Sequence, residues 1–400
     1  MGGGDLGTFL NQPKAAVVAL CDVDADILAA AAKRAPGART YCDWREMLEH
    51  EGDRIDSLNA TVPDHMHAAV SLAALAKGKH VFCQKPMAHD VCEARAMTKA
   101  AAAAGKVTQL GNQFGSSIGE RMAIEMLHNN VIGPVKHVVM MGHRNGIEWI
   151  RPAGPRPAQG SVPPPQLNWN LWLGTAPQRP YAPGYHPSAW RGWQDFGTGW
   201  SGDIGCHLFN VAYQGLELTA PRTVQAQVQE SWAKSSARRA DTWPQSNHIT
   251  WTFPGTRYTA PELLVEWYDG EFLPPPEILK LIEIPKFHPR ESTFFIGAEG
   301  VMYWEYGSGP QLWPQAKFRG IQRPSVPKLD HFRSFVEACL GGPATQCKFS
   351  RTGPMSEVVL LGTVAVRAPG QLLQWDAANL KIPNYPDAEK YLRRTYREGW

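Results

Sequence analysis

The sequence has little of what marks extracellular, membrane-spanning or nucleic-acid-binding proteins. Its seven cysteines are an odd number and form no Cys-x-x-Cys pair, so we expect a reduced protein without disulfides. No apolar run approaches the roughly 20 residues that a membrane-spanning helix needs, so we expect no membrane insertion. The net charge is only +3, with Lys and Arg scattered along the chain, which argues against a nucleic-acid partner.

The length and the composition indicate two globular domains. A chain of 400 residues is longer than one hydrophobic core usually supports, and 43% hydrophobic residues is an ordinary fraction for a globular protein. We place the predicted domains at residues 1–115 and 116–400. The sequence as given shows no signal peptide, which by itself favours a cytoplasmic location.

The first third of the chain alternates short apolar segments with amphipathic ones. Strands are predicted at residues 15–21, 55–60, 80–83 and 107–110. Helices are predicted between them, and one of these begins with a capping box formed by Asp90 and Glu93. This alternation predicts an α/β fold with a doubly wound parallel sheet.

In such a sheet the ligand lies beyond the carboxyl ends of the strands, so the residues that follow each strand are candidate binding residues. Asp22 follows the first predicted strand and stands twenty residues after Gly2. That spacing is typical of the acidic residue that hydrogen-bonds the adenosine ribose of NAD, and its charge disfavours NADP. The alternative is an ordinary solvated aspartate at a strand end.

The start of the chain lacks an element that this fold needs. Met1 is followed by Gly2, Gly3 and Gly4, which run directly into a predicted helix at residues 6–10. A glycine-rich turn that binds pyrophosphate normally follows a strand. We therefore expect the first strand of the sheet to be missing, with Gly2 as the last glycine of the turn. In the alternative, the start is genuine and another segment fills the sheet.

Asp203 and His207 form the most informative local motif. They stand four residues apart with small residues between them, a spacing that places both on one face of a helix. There the carboxylate can orient the imidazole and stabilise its charge, so that the histidine acts as a general base. The same spacing fits a metal site, for which no third ligand is evident nearby, or a buried histidine satisfied by a carboxylate.

The rest of the chain predicts an α+β domain with an open, mostly antiparallel sheet. Residues 151–166 are rich in proline and glycine and predict an extended loop or arm. Aromatic and polar side chains near the Asp-His motif are candidate sugar contacts, although aromatic residues also make good core. These candidates are Trp169, Tyr185, His186, Trp190 and Arg191. His248 and His288 are interpreted as structural or exposed.

Two motifs resemble those of the Gfo/Idh/MocA oxidoreductases, and the resemblance extends over nearly the whole chain. They are Val-Phe-Cys-Gln-Lys-Pro at residues 81–86 and Gly-Asp-Ile-Gly-Cys-His at residues 202–207, supported by residues 168–174 and 190–199. The family pattern at the first motif is Glu-Lys-Pro, and Gln84 replaces the glutamate. The resemblance implies NAD as the cofactor and a catalytic group of Lys85, Asp203 and His207. Residues expected along the cofactor cleft are Gly2, Asp22, Thr61, Pro63, His67, Gln84, Lys85, Pro86 and Asn112.

The predicted function is an NAD-dependent dehydrogenase that removes a hydride from a secondary hydroxyl of a sugar, a polyol or a derivative. His207 would be the general base, Lys85 would stabilise the alkoxide and Asp203 would orient His207. Two alternatives stay open. One is a glycosidase or lyase that uses tightly bound NAD in a cycle of oxidation, elimination and reduction, and the other is an inactive sugar-binding or scaffold protein.

The predicted partners are a small carbohydrate or polyol and further copies of the chain, as a homo-oligomer. The motifs resemble a bacterial branch of the family that often carries a twin-arginine export signal. Such a signal would lie upstream of Met1 and would make the protein periplasmic rather than cytoplasmic, so the compartment stays open.

Overall fold

The computed structural model describes residues 1–147, 152, 154–284 and 287–400. In the N-terminal part, strands and helices alternate as predicted. The helices are α1 (Gly2–Leu10), α2 (Ala25–Arg34), α3 (Trp44–Glu51), α4 (Asp64–Ala76) and α5 (Val91–Ala104). The strands are β1 (Ala19–Cys21), β2 (Arg39–Tyr41), β3 (Ser57–Ala60), β4 (His80–Cys83) and β5 (Thr108–Leu110). At the start of α5, the side chain of Asp90 accepts a hydrogen bond from the backbone N–H of Glu93, as the capping box predicts.

The parallel sheet is divided into two pieces. β1 pairs with β2 in one piece, and β3, β4 and β5 pair in that order in the other, with every pair parallel. Among the described residues, no strand lies between β1 and β3, where the usual order of a doubly wound sheet has its first strand. The predicted doubly wound parallel sheet is therefore confirmed.

The three glycines near the N-terminus belong to helix α1, which corrects the prediction of a turn followed by a helix at residues 6–10. α1 begins at Gly2, and a Cβ atom on Gly2 would lie 3.8 Å from Cγ2 of Thr61, the residue after β3. The carboxylate of Asp5 accepts hydrogen bonds from Oγ1 of Thr61 (2.7 Å) and from Nε2 of Gln84 (2.9 Å). These contacts hold the start of α1 against the carboxyl ends of β3 and β4.

The C-terminal part contains an eight-stranded sheet in the order β12-β11-β10-β6-β9-β8-β7-β13. Its strands are β6 (Val135–Met141), β7 (Thr223–Val228), β8 (Asn247–Pro254), β9 (Thr259–Tyr268), β10 (Ser292–Gly297), β11 (Val301–Glu305), β12 (Gln311–Trp313) and β13 (Leu373–Gln374). Within the described residues every pair is antiparallel except β6 with β9. The predicted open, mostly antiparallel sheet is confirmed.

The helices that accompany this sheet include the one with the Asp-His motif. They are α6 (Ile118–His128), α7 (Trp169–Leu173), α8 (Gly199–Gly215), α9 (Glu230–Ala233), α10 (Ser236–Arg239), α11 (Pro276–Leu279), α12 (Gln315–Phe318), α13 (His331–Cys339) and α14 (Phe349–Arg367). α8 packs against α6 and α14. A Cβ atom on Gly205 of α8 would lie 3.0 Å from Cγ1 of Val359 in α14, so the small residue inside the motif permits this close packing.

Several further predictions can be compared with the structure. All seven cysteines are free, as predicted. Residues 154–166 of the predicted arm contain no helix and no strand, and Arg151 lies outside the described residues. None of the described helices combines the length and the apolar character that crossing a membrane requires. The boundary between residues 115 and 116 stays a prediction.

Candidate active site

The Asp-His motif of α8 faces the carboxyl end of β4. Lys85 follows β4, and its ammonium donates a hydrogen bond to Oδ1 of Asp203 at 2.9 Å and contacts the backbone oxygen of Asp203 at 3.4 Å. The two side chains are only 10% and 8% exposed. This ion pair brings together two predicted catalytic residues, one from each predicted domain.

Arg191 is a second cation beside Asp203. Its Nε lies 3.8 Å from Oδ1 of Asp203, and its guanidinium lies 4.3 Å from the ring centre of Trp190. Burial alone would raise the pKa of Asp203, but Lys85 and Arg191 outweigh burial and hold that pKa below its usual value. Burial likewise opposes the charge of Lys85, and Asp203 outweighs it, so the pKa of the ammonium is raised. Both groups are therefore charged at neutral pH.

His207 is held by Asn112, which corrects the predicted role of Asp203. Nδ1 of His207 lies 2.5 Å from Oδ1 of Asn112. The amide of Asn112 donates to the backbone oxygen of Cys206 at 3.2 Å, so its oxygen must face the imidazole. Asp203 bonds Lys85 instead, because an ammonium within hydrogen-bond distance is a stronger partner for a carboxylate than a neutral imidazole.

The geometry determines which nitrogen of His207 is basic. An amide oxygen only accepts, so Nδ1 carries the proton and Nε2 has the free electron pair. Nε2 makes no hydrogen bond within the described part of the chain. Burial, assisted by the charge of Lys85, lowers the pKa of His207 well below its usual value. The imidazole is therefore neutral at physiological pH and can accept a proton at Nε2.

Asp64 adds a second buried carboxyl group that the sequence analysis missed. It is the first residue of α4, is only 1% exposed and accepts hydrogen bonds from the backbone nitrogen (3.2 Å) and Oγ1 (3.1 Å) of Thr198. Burial and the charge of Asp203 raise its pKa to about 7. Its position directly after Pro63, at a strand end, was the signal that could have identified it.

A cavity of about 360 Å³ with Tyr306 in its wall was also missed. The sheet register places Met141, Ser292 and Glu305 side by side, so the residues that flank them lie together at the same end of β6, β10 and β11. The cavity is lined there by His143, Arg144, Asn145, His288, Pro289, Arg290, Glu291, Glu305 and Tyr306. The ring centre of Tyr306 lies 4.9 Å from that of His207, so one residue of the cavity wall also packs against the histidine.

The charged side chains of this cavity form two pairs. Arg144 donates a hydrogen bond to Glu291, and Nη1 of Arg290 donates to Oε1 of Glu305 at 2.9 Å. His288, which was interpreted as structural or exposed, lies in the same wall. The sequence could not indicate this wall, because its residues come from three strand ends that only the sheet brings together.

Most of the predicted aromatic contacts form a separate cluster. The ring centre of Trp169 lies 4.8 Å from that of Trp172 and 6.0 Å from that of Tyr185, in stacked arrangements. Tyr185 is 1% exposed within this cluster. Nε2 of His186 lies 3.8 Å from Asp24, near the end of β1. We therefore revise Tyr185 to a packing residue, and Trp190 belongs to the same buried cluster. Trp169 is partly exposed and lines a second pocket, so its predicted role stays a prediction. Arg191 reaches Asp203.

The predicted cofactor residues lie after the strands of the parallel sheet. Asp22 follows β1, and its Oδ1 accepts from the backbone nitrogen of Asp24 at 3.0 Å. Thr61 and Pro63 follow β3, residues 84–86 follow β4, and Asn112 follows β5. Burial raises the pKa of Asp22. These residues therefore share the sheet edge at which a doubly wound fold binds its ligand.

His67 is the exception among them and its predicted role is corrected. The residue is 1% exposed. Its Nδ1 lies 2.5 Å from the backbone oxygen of Pro86, and its Nε2 lies 2.8 Å from that of Val62. The buried ring thus links the turn after β3 to the turn after β4 and does not line the predicted cofactor cleft.

The residues at this edge fit a dinucleotide. The first backbone N–H groups of α1 have no acceptor inside the helix and carry the positive end of the helix dipole, which suits a pyrophosphate. The one carboxylate of that turn, Asp5, is engaged by Thr61 and Gln84. The carboxylate of Asp22 is an acceptor of the kind that a ribose hydroxyl requires. Within the described ranges, no three His, Cys, Asp or Glu side chains are grouped to hold a metal ion.

Comparison with known families agrees with this geometry. Residues 4–112 match the Gfo/Idh/MocA model described as "Oxidoreductase family, NAD-binding Rossmann fold", and residues 121–243 match "Oxidoreductase family, C-terminal alpha/beta domain". The chain belongs to the Gfo/Idh/MocA oxidoreductase family. The prediction of NAD as the cofactor is confirmed at the level of the family, because the model that matches residues 4–112 is described as NAD-binding.

Curated relatives match over short stretches. The chain is 31% identical over 78 residues to levoglucosan dehydrogenase of Pseudarthrobacter phenanthrenivorans, covering 20% of each chain. It is 41% identical over 100 residues to D-apiose dehydrogenase of Paraburkholderia graminis, covering 25% of this chain and 26% of that protein. It is 37% identical over 100 residues to inositol 2-dehydrogenase of Klebsiella pneumoniae, covering 24% and 29%. The chain thus spans less than a third of the length of each of these relatives.

Solved structures extend the likeness of fold to nearly the whole chain. The WlbA dehydrogenase of Bordetella pertussis, solved with NADH and UDP-GlcNAcA, is similar with a TM-score of 0.63 at 14% identity, covering 94% of this chain and 95% of that one. A levoglucosan dehydrogenase solved with NADH and levoglucosan is similar with a TM-score of 0.58 at 15% identity, covering 93% and 94%. At these identities the likeness shows the shared fold.

Proposed function

We propose that this protein is an NAD-dependent dehydrogenase that oxidises a secondary hydroxyl of a sugar, a polyol or a derivative. The observation that carries the proposal is a buried His207 beside the Lys85–Asp203 ion pair, with Nδ1 on Asn112 and with no partner for Nε2 among the described residues. A base and a fixed cation are the two groups that alcohol oxidation requires of a protein. The dehydrogenase names of the sequence relatives support this class.

The residues of the chain divide the work as follows. Nε2 of His207 takes the proton of the substrate hydroxyl. The ammonium of Lys85 stabilises the negative charge that develops on that oxygen, and Asp203 keeps the ammonium charged and in place. NAD, when bound, supplies the hydride acceptor. Asp22, Thr61 and the start of α1 would hold the cofactor, because they share the ligand edge of the sheet.

The remainder of the substrate would occupy the cavity beside Tyr306. Its wall offers guanidinium donors from Arg144 and Arg290 and carboxylate acceptors from Glu291 and Glu305. Such paired donors and acceptors suit the neighbouring hydroxyls of a carbohydrate. Tyr306, a residue of this wall, also packs against the imidazole of His207.

The test begins with denaturation of the purified protein and identification of any nucleotide it releases. The protein is then incubated with NAD and a set of free sugars and polyols, and NADH is followed by its absorbance. Stoichiometric formation of NADH is expected. Cleavage of glycosides without net NADH would replace this proposal with the redox-assisted glycosidase. Neither bound nucleotide nor turnover would indicate a binding or scaffold protein.

A further inference from the structure

We propose that Glu291 accepts a hydrogen bond from a substrate hydroxyl and selects uncharged sugars or polyols against the corresponding uronates. This inference rests on the proposed function, because it concerns the substrate of the same site. It names a specificity residue and a substrate class within that function.

The carboxylate of Glu291 has one engaged oxygen and one free oxygen. Glu291 stands directly before β10 and is only 7% exposed, in the wall of the cavity beside Tyr306. Its Oε2 accepts from Arg144. Its Oε1 is buried and has no hydrogen-bond partner among the described residues. A buried acceptor without a partner is costly, so this oxygen is arranged for a donor that the protein itself does not supply.

The missing partner must be a donor, which restricts the ligand. A hydroxyl group can donate to Oε1 of Glu291, whereas an ionised carboxylate has only acceptors. Arg144 keeps further N–H groups that Glu291 does not use, since a guanidinium carries five. Two neighbouring hydroxyls match this arrangement, with one donating to Glu291 and the other accepting from Arg144.

The charges of the cavity lead to the same substrate class. Each arginine of the wall already has its glutamate, Arg144 with Glu291 and Arg290 with Glu305. A uronate would bring a third negative charge to a site whose cations are paired. Burial raises the pKa of Glu291, and the charge of Arg144 opposes this shift and favours the carboxylate. Like charges within one site reduce binding of the wrong ligand.

The experiment compares glucose with glucuronate and galactose with galacturonate. Binding to the NADH-loaded protein is measured by tryptophan fluorescence, and turnover is measured as NADH formation from NAD. We expect kcat/KM for the neutral sugar to exceed that for its uronate by about tenfold or more. Glu291→Gln keeps the shape but removes the charge, and should reduce this ratio by about tenfold. Glu291→Asp keeps the charge and should preserve the preference.

Glu299→Gln is the matched control, because Glu299 is an exposed glutamate paired with Lys317. It should leave the ratio unchanged. A wild-type preference for uronates would overturn the inference, and so would an unaltered ratio of the two kcat/KM values in Glu291→Gln. In either case NADH formation would still support the proposed dehydrogenase. The wild-type comparison needs no variant to fold. If no sugar binds, no NADH forms and no nucleotide is released, the proposed function fails and the inference falls with it.

Discussion

Nδ1 of His207 lies 2.5 Å from Oδ1 of Asn112, and this contact determines the tautomer of the proposed base. The amide oxygen has no proton to give, so the imidazole must carry its own proton on Nδ1. Nε2 is then the only nitrogen that can receive one. Asn112 follows β5 and His207 lies in α8, so the contact also joins the parallel sheet to the C-terminal part.

Asn112→Asp is expected to move the pH dependence of activity. A carboxylate beside Nδ1 favours the protonated imidazole and raises the pKa of His207. The base must be neutral to act, so activity appears only above that pKa, and the rising limb of kcat/KM should shift to higher pH. Asn112→Ala should instead lower kcat by about 10²-fold, because the imidazole of His207 loses the partner that orients it. In this variant the rising limb of kcat/KM should not move to higher pH. An unshifted limb in Asn112→Asp would contradict the assigned contact.

Lys85→Met is expected to remove the cation that stabilises the substrate oxygen. The loss in kcat/KM should be about 10²- to 10³-fold, as for other electrostatic stabilisers of a developing oxyanion. The variant should also unfold at lower urea concentration, because Arg191, at 3.8 Å, is then the one cation that the described residues keep within 4 Å of Asp203. Lys77→Met changes an exposed lysine and should alter neither quantity. Near-normal turnover in Lys85→Met would remove Lys85 from the chemistry.

Asp64→Asn is expected to change how stability depends on pH. Asp64 has a folded pKa of about 7, against an unfolded value of about 3.9. Between these values the folded protein holds a proton that the unfolded chain has lost, so the free energy of unfolding falls as pH rises from about 4 to about 7. The amide removes this dependence and still accepts from Thr198.

The difference in free energy of unfolding between Asp64→Asn and wild type should therefore be more favourable to the variant at pH 8 than at pH 4, by up to about 4 kcal/mol. Urea unfolding at the two pH values measures it. Asp53→Asn, at an exposed aspartate, serves as the control and should show an equal difference at both. A gain that did not grow with pH would mean that Asp64 is ionised in the folded protein.

Arg394→Met is expected to loosen the C-terminal tail. Nε of Arg394 donates to Oε1 of Glu93 at 2.9 Å, and the guanidinium also bonds the backbone oxygen of His65 at the start of α4. Without this cation Glu93 is a buried carboxylate that keeps only neutral donors among the described residues, Tyr396 (2.8 Å) and the backbone nitrogen of His89 (2.9 Å), which should cost about 3 kcal/mol of stability in urea unfolding. Arg393→Met, at the exposed neighbouring arginine, should cost much less. Equal effects would show that the tail contributes only general packing.

The sequence predicted strands and helices well where local signals were strong. β4 was predicted at its observed bounds, because its apolar run is bounded by Gly78 and Pro86. α1 was placed too late, because three glycines disfavour a helix in isolation. In the structure Arg34 donates to the backbone oxygen of Gly3 at 2.7 Å, and such tertiary contacts stabilise that first turn.

The sequence by itself determined which chemical groups stand at the strand ends and on α8, among them Asp22, Lys85, Asp203 and His207. Their local spacing is a property of the chain alone, since strand and helix periods follow from backbone geometry. Only the tertiary structure decided the partners: Asp203 for Lys85, Asn112 for His207, and the cavity wall around Glu291. These contacts join segments remote in sequence, and a periodic pattern encodes only near neighbours. The motif that predicted a base was therefore informative, while its orienting partner lay elsewhere in the chain.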